Sequence, residues 1–255
     1  MLPLAGDVAG QLDSCALGWP IEGWAELDST NTRAQAWAAD GAPHGAVVLA
    51  EFQKKGRGQP GHRWLAAAGQ NLLFSVILRP ALDPSSFGLV TLAGSLAVAE
   101  TLAPMVAPLS VTIKWPNDVM IEDQKCCGIL SESAVGPGTL VVVGIGLNVN
   151  QSVFPEEIAR RATSVLLVTG RPANRAGIMV GILTRFAAYL EMTATQPATL
   201  IEHCTSRLYR IGQDCHVRQG PDQFLRGRIL GLSATGALRL DTHQKVMTVH
   251  TGNLS

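Results

Sequence analysis

Two apolar runs, GAVVLAEFQ at 45–53 and NLLFSVIL at 71–78, have strand length and are bounded by Gly, Asn and Pro. VTIKW (111–115), VMI (119–121), KCCGILSES (125–133) and TLVVVGIGLNV (139–149) predict four more strands. Turns are expected at Pro116-Asn117-Asp118, Glu122-Asp123-Gln124 and Gly136-Pro137-Gly138. Ser29-Thr30-Asn31 supplies capping side chains for a helix TRAQAWAAD that Gly41 ends. Asp83-Pro84 opens an apolar helix from Phe87 to Leu102, closed by Pro104. PEEIARRA (155–162), residues 174–192 and residues 197–209 carry further helical patterns, while residues 1–23 show no clear period. After Gly212 the texture changes to CHVRQG, FLRGRILGL, GALRLD and KVMTVH, short strand-like pieces separated by Gly, Pro and Asp. Strands and helices mix without strict βαβ alternation, so the fold class is α+β with a mixed or antiparallel sheet. Two domains are expected, 1–209 and 210–255, the second a small β-barrel.

Composition narrows the function classes. The 255 residues are 47% hydrophobic and 16% charged, with a formal net charge of zero. Neither disorder nor bulk affinity for nucleic acid or membrane is expected. No Lys or Arg precedes Arg33, so the charged start of a signal peptide is missing, and the apolar run LVVVGIGL is too short to span a bilayer. Five cysteines, with Cys126 and Cys127 adjacent and no C-x-x-C, read as reduced thiols of a cytoplasmic protein. The pairs His203-Cys204 and Cys215-His216 fit no zinc spacing.

Electrostatic work must therefore be local, and KKGRGQPGHRW at 54–64 concentrates four Lys/Arg, one His and three glycines. GRGQPG matches G-x-G-x-x-G, but Pro60 and the Gly69-Gln70-Asn71 turn argue against the helix a dinucleotide site needs. No P-loop or kinase signature occurs. A flexible basic loop between strands remains. Its glycines let backbone N–H groups approach an anion, and Arg57 can chelate phosphate or carboxylate. No Asp or Glu lies between Phe52 and Leu82, so the field is expected to stand uncancelled. A charge pair at ~4 Å is worth roughly 4 kcal/mol at an effective dielectric near 20. The competing reading is a solvated surface loop. Trp64 at its end either stacks on a base or is an ordinary core residue.

KWPNDV (114–119) puts Lys114, Asn117 and Asp118 at a strand end and its turn. KCCGIL (125–130) sets Lys125 three residues before Gly128, and GIGLNVN (144–150) places Gly144 and Gly146 on one strand face with Asn148 beyond. Glycine inside a strand marks close approach by a ligand or another backbone.

STN (29–31), EFQKKGRGQPGHRW (51–64), KWPNDV, KCCGIL and GIGLNVN stand in the order and spacing of biotin protein ligases, which this chain resembles over roughly residues 24–255. The C-terminal G-x-[IL]-x-G and GALRL pattern is similar to their SH3-like domain. The resemblance implies a class II synthetase-like catalytic domain at 1–209. It implies ATP and Mg²⁺ as cofactors, biotin as substrate, and a biotin carboxyl carrier domain as partner. Arg57, Lys125, Lys114 and Asp118 would be catalytic. Ser29, Thr30, Asn31, Gln53, Gly56, Arg57, Lys125, Gly128, Gly144 and Gly146 would bind biotin, with Ser29, Thr30 and Gln53 on the ureido ring. Arg57, Gly58, Gln59, Trp64, Asn117, Lys125 and Asn148 would bind ATP, with Trp64 stacked on adenine. A homodimer is expected from the family. With no helix-turn-helix segment before residue 24, a repressor role is not. Where the family loop commonly reads GRGRxGRxW, this chain has Gln59 and His62 in place of Arg, which bears on how tightly the activated intermediate is retained. The rival readings are a lipoate–protein ligase and a non-catalytic biotin-binding module.

Overall fold

The computed structural model describes residues 2–12, 17–59, 61–134, 139–220, 223–242 and 244–254. The turn expected at 136–138 and the loop residue Pro60 lie outside them. Helix α1 (Pro3–Ala9) precedes strand β1 (Ile21–Trp24), helix α2 (Thr30–Ala39) and strands β2 (Val47–Ala50) and β3 (Leu72–Leu78). A 3₁₀ turn (Pro84–Ser86) opens helix α3 (Phe87–Val106). Strands β4 (Val111–Lys114), β5 (Asp118–Ile121), β6 (Gln124–Ala134) and β7 (Leu140–Leu147) follow. Next come helices α4 (Glu156–Ala159), α5 (Val165–Thr169), α6 (Arg175–Thr195) and α7 (Pro197–Ser206). The chain ends with β8 (Asp214–Arg218), β9 (Phe224–Leu232), β10 (Leu238–Asp241), β11 (Val246–Val249) and β12 (Asn253–Leu254).

The first seven strands form one mixed sheet in the order β1-β2-β3-β7-β6-β5-β4. Only β1 and β2 pair in parallel, because helix α2 carries the chain between them; every other neighbour pair of this sheet is antiparallel. Alternation divides β7 between two faces. Val141, Val143, Ile145 and Leu147 enter the main core with α3 and α6, while Val142 packs under α2 with Ala34, Ala38, Val48 and Ile77. Gly144 and Gly146 continue the α2 face beyond that helix and leave a depression there. Each fully buried Leu, Ile or Phe of the main core is worth about 1.5–3 kcal/mol, which holds this sheet face rigid beneath the site.

The strands from 214 onward make a second, antiparallel sheet in the order β11-β10-β9-β8-β12, of the SH3-like kind. Its Val217, Ile229, Leu238 and Leu240 join the main core, and the Trp115 indole Nε1 donates to the Gly236 carbonyl across the junction at 3.0 Å.

Three expectations need correction. Helix α3 runs through Pro104 to Val106, because Pro104 falls in the last turn and the buried Val106 anchors the end. The apolar run to weigh against a bilayer is Pro84–Val106 rather than the short LVVVGIGL: among the described residues it is long and apolar enough by length and composition to cross a membrane, and 72% of its most apolar 18-residue window is buried in the core. PEEIARRA is helical only over Glu156–Ala159, because the Arg161 carbonyl leaves the helix to accept from the Lys125 amide at 2.8 Å.

Candidate active site

The glycines of β7 meet those of β6 in register: Gly128 faces Gly146, and Leu130 faces Gly144. Side chains of this chain fill the space they leave. A Cβ on Gly146 would lie 2.6 Å from Trp64 Cε2, and one on Gly128 would lie 3.0 Å from Trp64 Cζ3. The Trp64 indole thus rests flat on the paired glycines, with its Nε1 buried and without a partner. A Cβ on Gly144 would overlap Asn31 Oδ1 and lie 2.9 Å from its Cγ.

Helix α2 aims its first turn at this floor. Ser29 is the N-cap residue but makes no side-chain capping bond, contrary to expectation. The next two side chains are tied elsewhere. The Thr30 amide donates to Gln53 Oε1 at 2.7 Å, and Thr30 Oγ1 lies 2.7 Å from Ser75 Oγ. Asn31 Oδ1 accepts from the Ser75 hydroxyl at 2.6 Å, while its Nδ2 donates to Glu132 at 2.7 Å and to the Leu130 carbonyl at 3.2 Å. Both are buried, so this rim is rigid.

The basic segment is a hairpin. Trp64 N donates to Gly56 O at 3.0 Å and Gly58 N to His62 O at 3.1 Å, with Arg57 opposite Arg63. Gly56 is dictated by this approach, since a Cβ there would collide with the Trp64 carbonyl. Unlike the other expected site residues, it does not line the cavity. The expected uncancelled field is also corrected. Lys54 pairs with Glu26 at 2.7 Å, Lys55 with Asp28 at 2.9 Å and Arg57 with Glu132 at 2.8 Å, acids that sequence distance hid. Pairs this open to solvent are screened and add little to the hold on the hairpin.

Opposite the hairpin stand the remaining motif residues. Lys114 and Asp118 are register partners on β4 and β5. Lys125 Nζ lies 2.6 Å from Asp118 Oδ1 and 5.6 Å from the Trp64 ring centre. Burial pushes the Lys114 pKa down, only partly offset by Asp118, and Arg210, Lys125 and Arg161 push it further down. Asn117 donates to the Ile129 carbonyl at 2.7 Å and accepts from Gln59 Nε2 at 3.0 Å, linking hairpin to turn. Asn148 Nδ2 donates to the Thr163 carbonyl at 3.0 Å, whereas its Oδ1 is buried and unsatisfied. All of these residues line one cavity of about 730 Å³, walled on one side by Arg218, Phe224 and Asn253 of the second sheet. An orphaned acceptor and an orphaned indole donor in the same cavity suit a polar heterocyclic ligand.

Known proteins resemble this chain over most of its length. A model of the Biotin/lipoate A/B protein ligase family matches residues 24–150. The biotin–[acetyl-CoA-carboxylase] ligase of Mycobacterium tuberculosis is 34% identical over 242 residues, 91% of this chain and 89% of that protein. The chain belongs to the biotin protein ligase family. The bifunctional ligase/repressor BirA of Bacillus subtilis is 32% identical across 89% of this chain and 71% of its own length. A solved biotin protein ligase from Aquifex aeolicus, in complex with biotin and ATP, aligns with a TM-score of 0.81 and 29% identity over 92% of this chain and 97% of that one.

Within this family member, Gln59 does not leave a gap where an Arg is common, because its amide reaches Asn117. Sequence reasoning missed Arg161, Arg210 and Tyr209, which also line the cavity. Arg161 sat in an apparent helix and Arg210 at a domain junction, and only tertiary pairing brings them to the motif lysines. Among the described residues no group of three or more His, Cys, Asp or Glu converges. Asp118 and Asp123 are the carboxylates on the cavity wall. That set fits Mg²⁺ only as an ion held mainly by phosphate oxygens and water, with a single carboxylate in support.

The thiols of Cys126 and Cys204 are inert by burial. Cys126, wholly buried on β6, and Cys204 are each pushed up to about 12. At pH 8 roughly one such thiol in ten thousand is ionised. We expect iodoacetamide to label neither residue in the folded ligase and both after denaturation, as peptide mass mapping would show. Rapid labelling in the native state would refute the burial given for them.

Proposed function

We propose that this chain joins biotin to ATP as biotinyl-5′-adenylate, releasing pyrophosphate, and passes the biotinyl group to one lysine of a biotin carboxyl carrier domain, releasing AMP. A carboxylate does not acylate an amine at neutral pH until it becomes a mixed anhydride. Forming that anhydride brings two anions together, so fixed cations must offset their repulsion and the charge developing on phosphorus. The observation that carries the reading is that Arg57 and Lys125, distant in sequence, face one cavity above the glycine floor.

Both cations are paired with acids in this structure, and the chemistry asks each to exchange its partner. Arg57 leaves Glu132 for the carboxylate and α-phosphate. Lys125 leaves Asp118 for the same charge. Asp118 is thereby freed to take the proton from the incoming lysine amine. Buried Ser29 and Thr30 and half-buried Gln53 offer polar edges to the ureido ring. Trp64 must lift from Gly128 and Gly146 for the ligand to settle, and the missing partner of its Nε1 lowers the barrier to doing so. Asn117 and Asn148, with the lifted indole, then take the nucleotide. Mg²⁺, when bound, shields charge on the phosphates.

The same reading assigns residues 1–209 to the biotin- and ATP-binding domain and 210–255 to the SH3-like domain. It places the enzyme in the cytoplasm as a homodimer without nucleic-acid affinity.

The test is a carrier domain incubated with the protein, biotin, ATP and Mg²⁺ and then weighed by mass spectrometry. One lysine should gain one biotinyl group. ATP–pyrophosphate exchange supported by lipoate and not by biotin would overturn the substrate. Biotin binding without any exchange would reduce the protein to a binding module.

A further inference from the structure

The proposed reaction gives Lys114, Asn117 and Asp118 of KWPNDV their tasks and leaves Trp115 without one. Lys114 stands in register with Asp118, whereas Ile113 and Trp115 enter the main core, where Trp115 is 3% exposed. A buried indole needs an acceptor for its N–H. Trp115 finds one outside the catalytic sheet, because its Nε1 donates to the Gly236 carbonyl at 3.0 Å.

That acceptor is held in place. Gly236 belongs to the turn between β9 and β10, where the Ser233 amide donates to the Ala237 carbonyl at 2.8 Å and the Gly236 amide to the Ser233 carbonyl at 2.9 Å. The Ser233 hydroxyl accepts from the Ala237 amide at 3.1 Å. Gly236 has φ 82°, and a Cβ there would lie 2.8 Å from Leu92 Cδ1 on helix α3. Only glycine lets this turn press against the core helix. The donor's neighbours are fastened from the other side. The Ile129 amide donates to the Asn117 carbonyl at 2.9 Å, and Asn117 Nδ2 donates to the Ile129 carbonyl at 2.7 Å. A bridge between Ile113 and Leu208 also ties β4 to the segment that leads into the second sheet. The catalytic turn is thus held between β6 and the second sheet.

We propose that Trp115 is a positioning residue, whose bond to Gly236 lets the second sheet set the place of Asn117 and Asp118 for the adenylating step. The assignment rests on the adenylating reading above. Asn117 holds Gln59 of the basic hairpin, and Asp118 holds Lys125, so a shift of this turn reaches both sides of the cavity. A displacement of roughly 1 Å in such a site can cost about a hundredfold in rate. The second sheet acts on the reaction through the core as well as by walling the cavity.

Two substitutions separate the bond from the bulk. Trp115→Phe keeps an apolar ring and loses the donor. Trp115→His loses the second ring, and its neutral imidazole at pH 8 can keep an N–H at the matching ring position. Trp115→Phe is expected to lower kcat for biotin-dependent ATP–pyrophosphate exchange roughly ten- to a hundredfold, and Trp115→His less. Tm should fall in the opposite order, further in Trp115→His, which leaves the larger cavity. Biotin affinity without nucleotide should hold in both. A wild-type kcat in Trp115→Phe, or losses of kcat that follow the losses of Tm, would make Trp115 a core residue and nothing more. Hydrogen exchange in the ligand-free protein tests the same bond without substrate. In Trp115→Phe the Ile129 amide should speed up more than the buried Val76 amide of β3, and equal acceleration of the two would overturn the positioning role. If wild-type pyrophosphate exchange does not respond to biotin, the adenylating reading falls, and the Ile129 amide still decides whether Trp115 holds the turn.

Discussion

Alanine at position 125 is expected to slow biotinyl-adenylate formation by about a hundred- to a thousandfold while leaving the protein folded. Lys125 is the cation nearest the glycine floor, and its Nζ reaches Asp118 at 2.6 Å. Removing one preorganised positive group from a site where charge develops forfeits transition-state stabilisation that solvent cannot restore. The ground state loses far less. The pair is partly exposed, 35% and 22%, and such a pair adds only about 0–1 kcal/mol to stability. The expected result is therefore a collapse in kcat for pyrophosphate exchange with little change in Tm. Biotin alone should still bind, because the contacts proposed for its ring, at Thr30 and Gln53, are untouched by the change. An alanine variant exchanging at the wild-type rate would remove Lys125 from the chemistry, and with it the proposed freeing of Asp118.

The contrast between backbone and charge explains what could be read beforehand. Strands such as NLLFSVIL and TLVVVGIGLNV announce themselves because alternation and β-branching act within a few residues. Helix α1, seven residues long, and β1, four residues long, give no usable period, and β12 is shorter still. The motif residues were legible as a set, and all but Gly56 line one cavity. Their partners were not. Glu132 neutralises Arg57 across 75 positions, and Asn31 is held by Ser75 across 44. The basic segment looked uncancelled because sequence distance is a poor measure of distance across a folded sheet. Arg161 was hidden by a local helix signal that pairing with Lys125 overrides. Trp64 was expected over adenine, and its contact with Gly128 and Gly146 was hidden because those glycines lie more than sixty positions along the chain.

The glycines supply the second large effect: Gly144→Ala is expected to destabilise the ligase and to abolish biotin binding. The new methyl group would overlap Asn31 Oδ1, and neither side can yield. Gly144 is paired on both flanks, to Ser75 on β3 and Leu130 on β6. Asn31 is 3% exposed, and its amide is held by Ser75, Leu130 and Glu132. Overpacking costs roughly 1–3 kcal/mol, and a buried amide forced off its partners costs about 1–3 kcal/mol more. For a chain of this size the sum corresponds to a Tm lower by roughly 5–20 °C. Function fails with the fold because Asn31 shares its helical turn with Thr30, and Glu132 is the acid that also holds Arg57. A double-mutant cycle separates the clash from a general weakness of β7. Asn31→Ala alone should destabilise by leaving Ser75 and Glu132 short of a partner, yet combined with Gly144→Ala it removes the collision, so the double variant should be more stable than the sum of the singles. Strict additivity, or a Gly144→Ala protein that melts with the wild type and binds biotin, would mean that the floor of this site tolerates a side chain and that glycine there answers some other need.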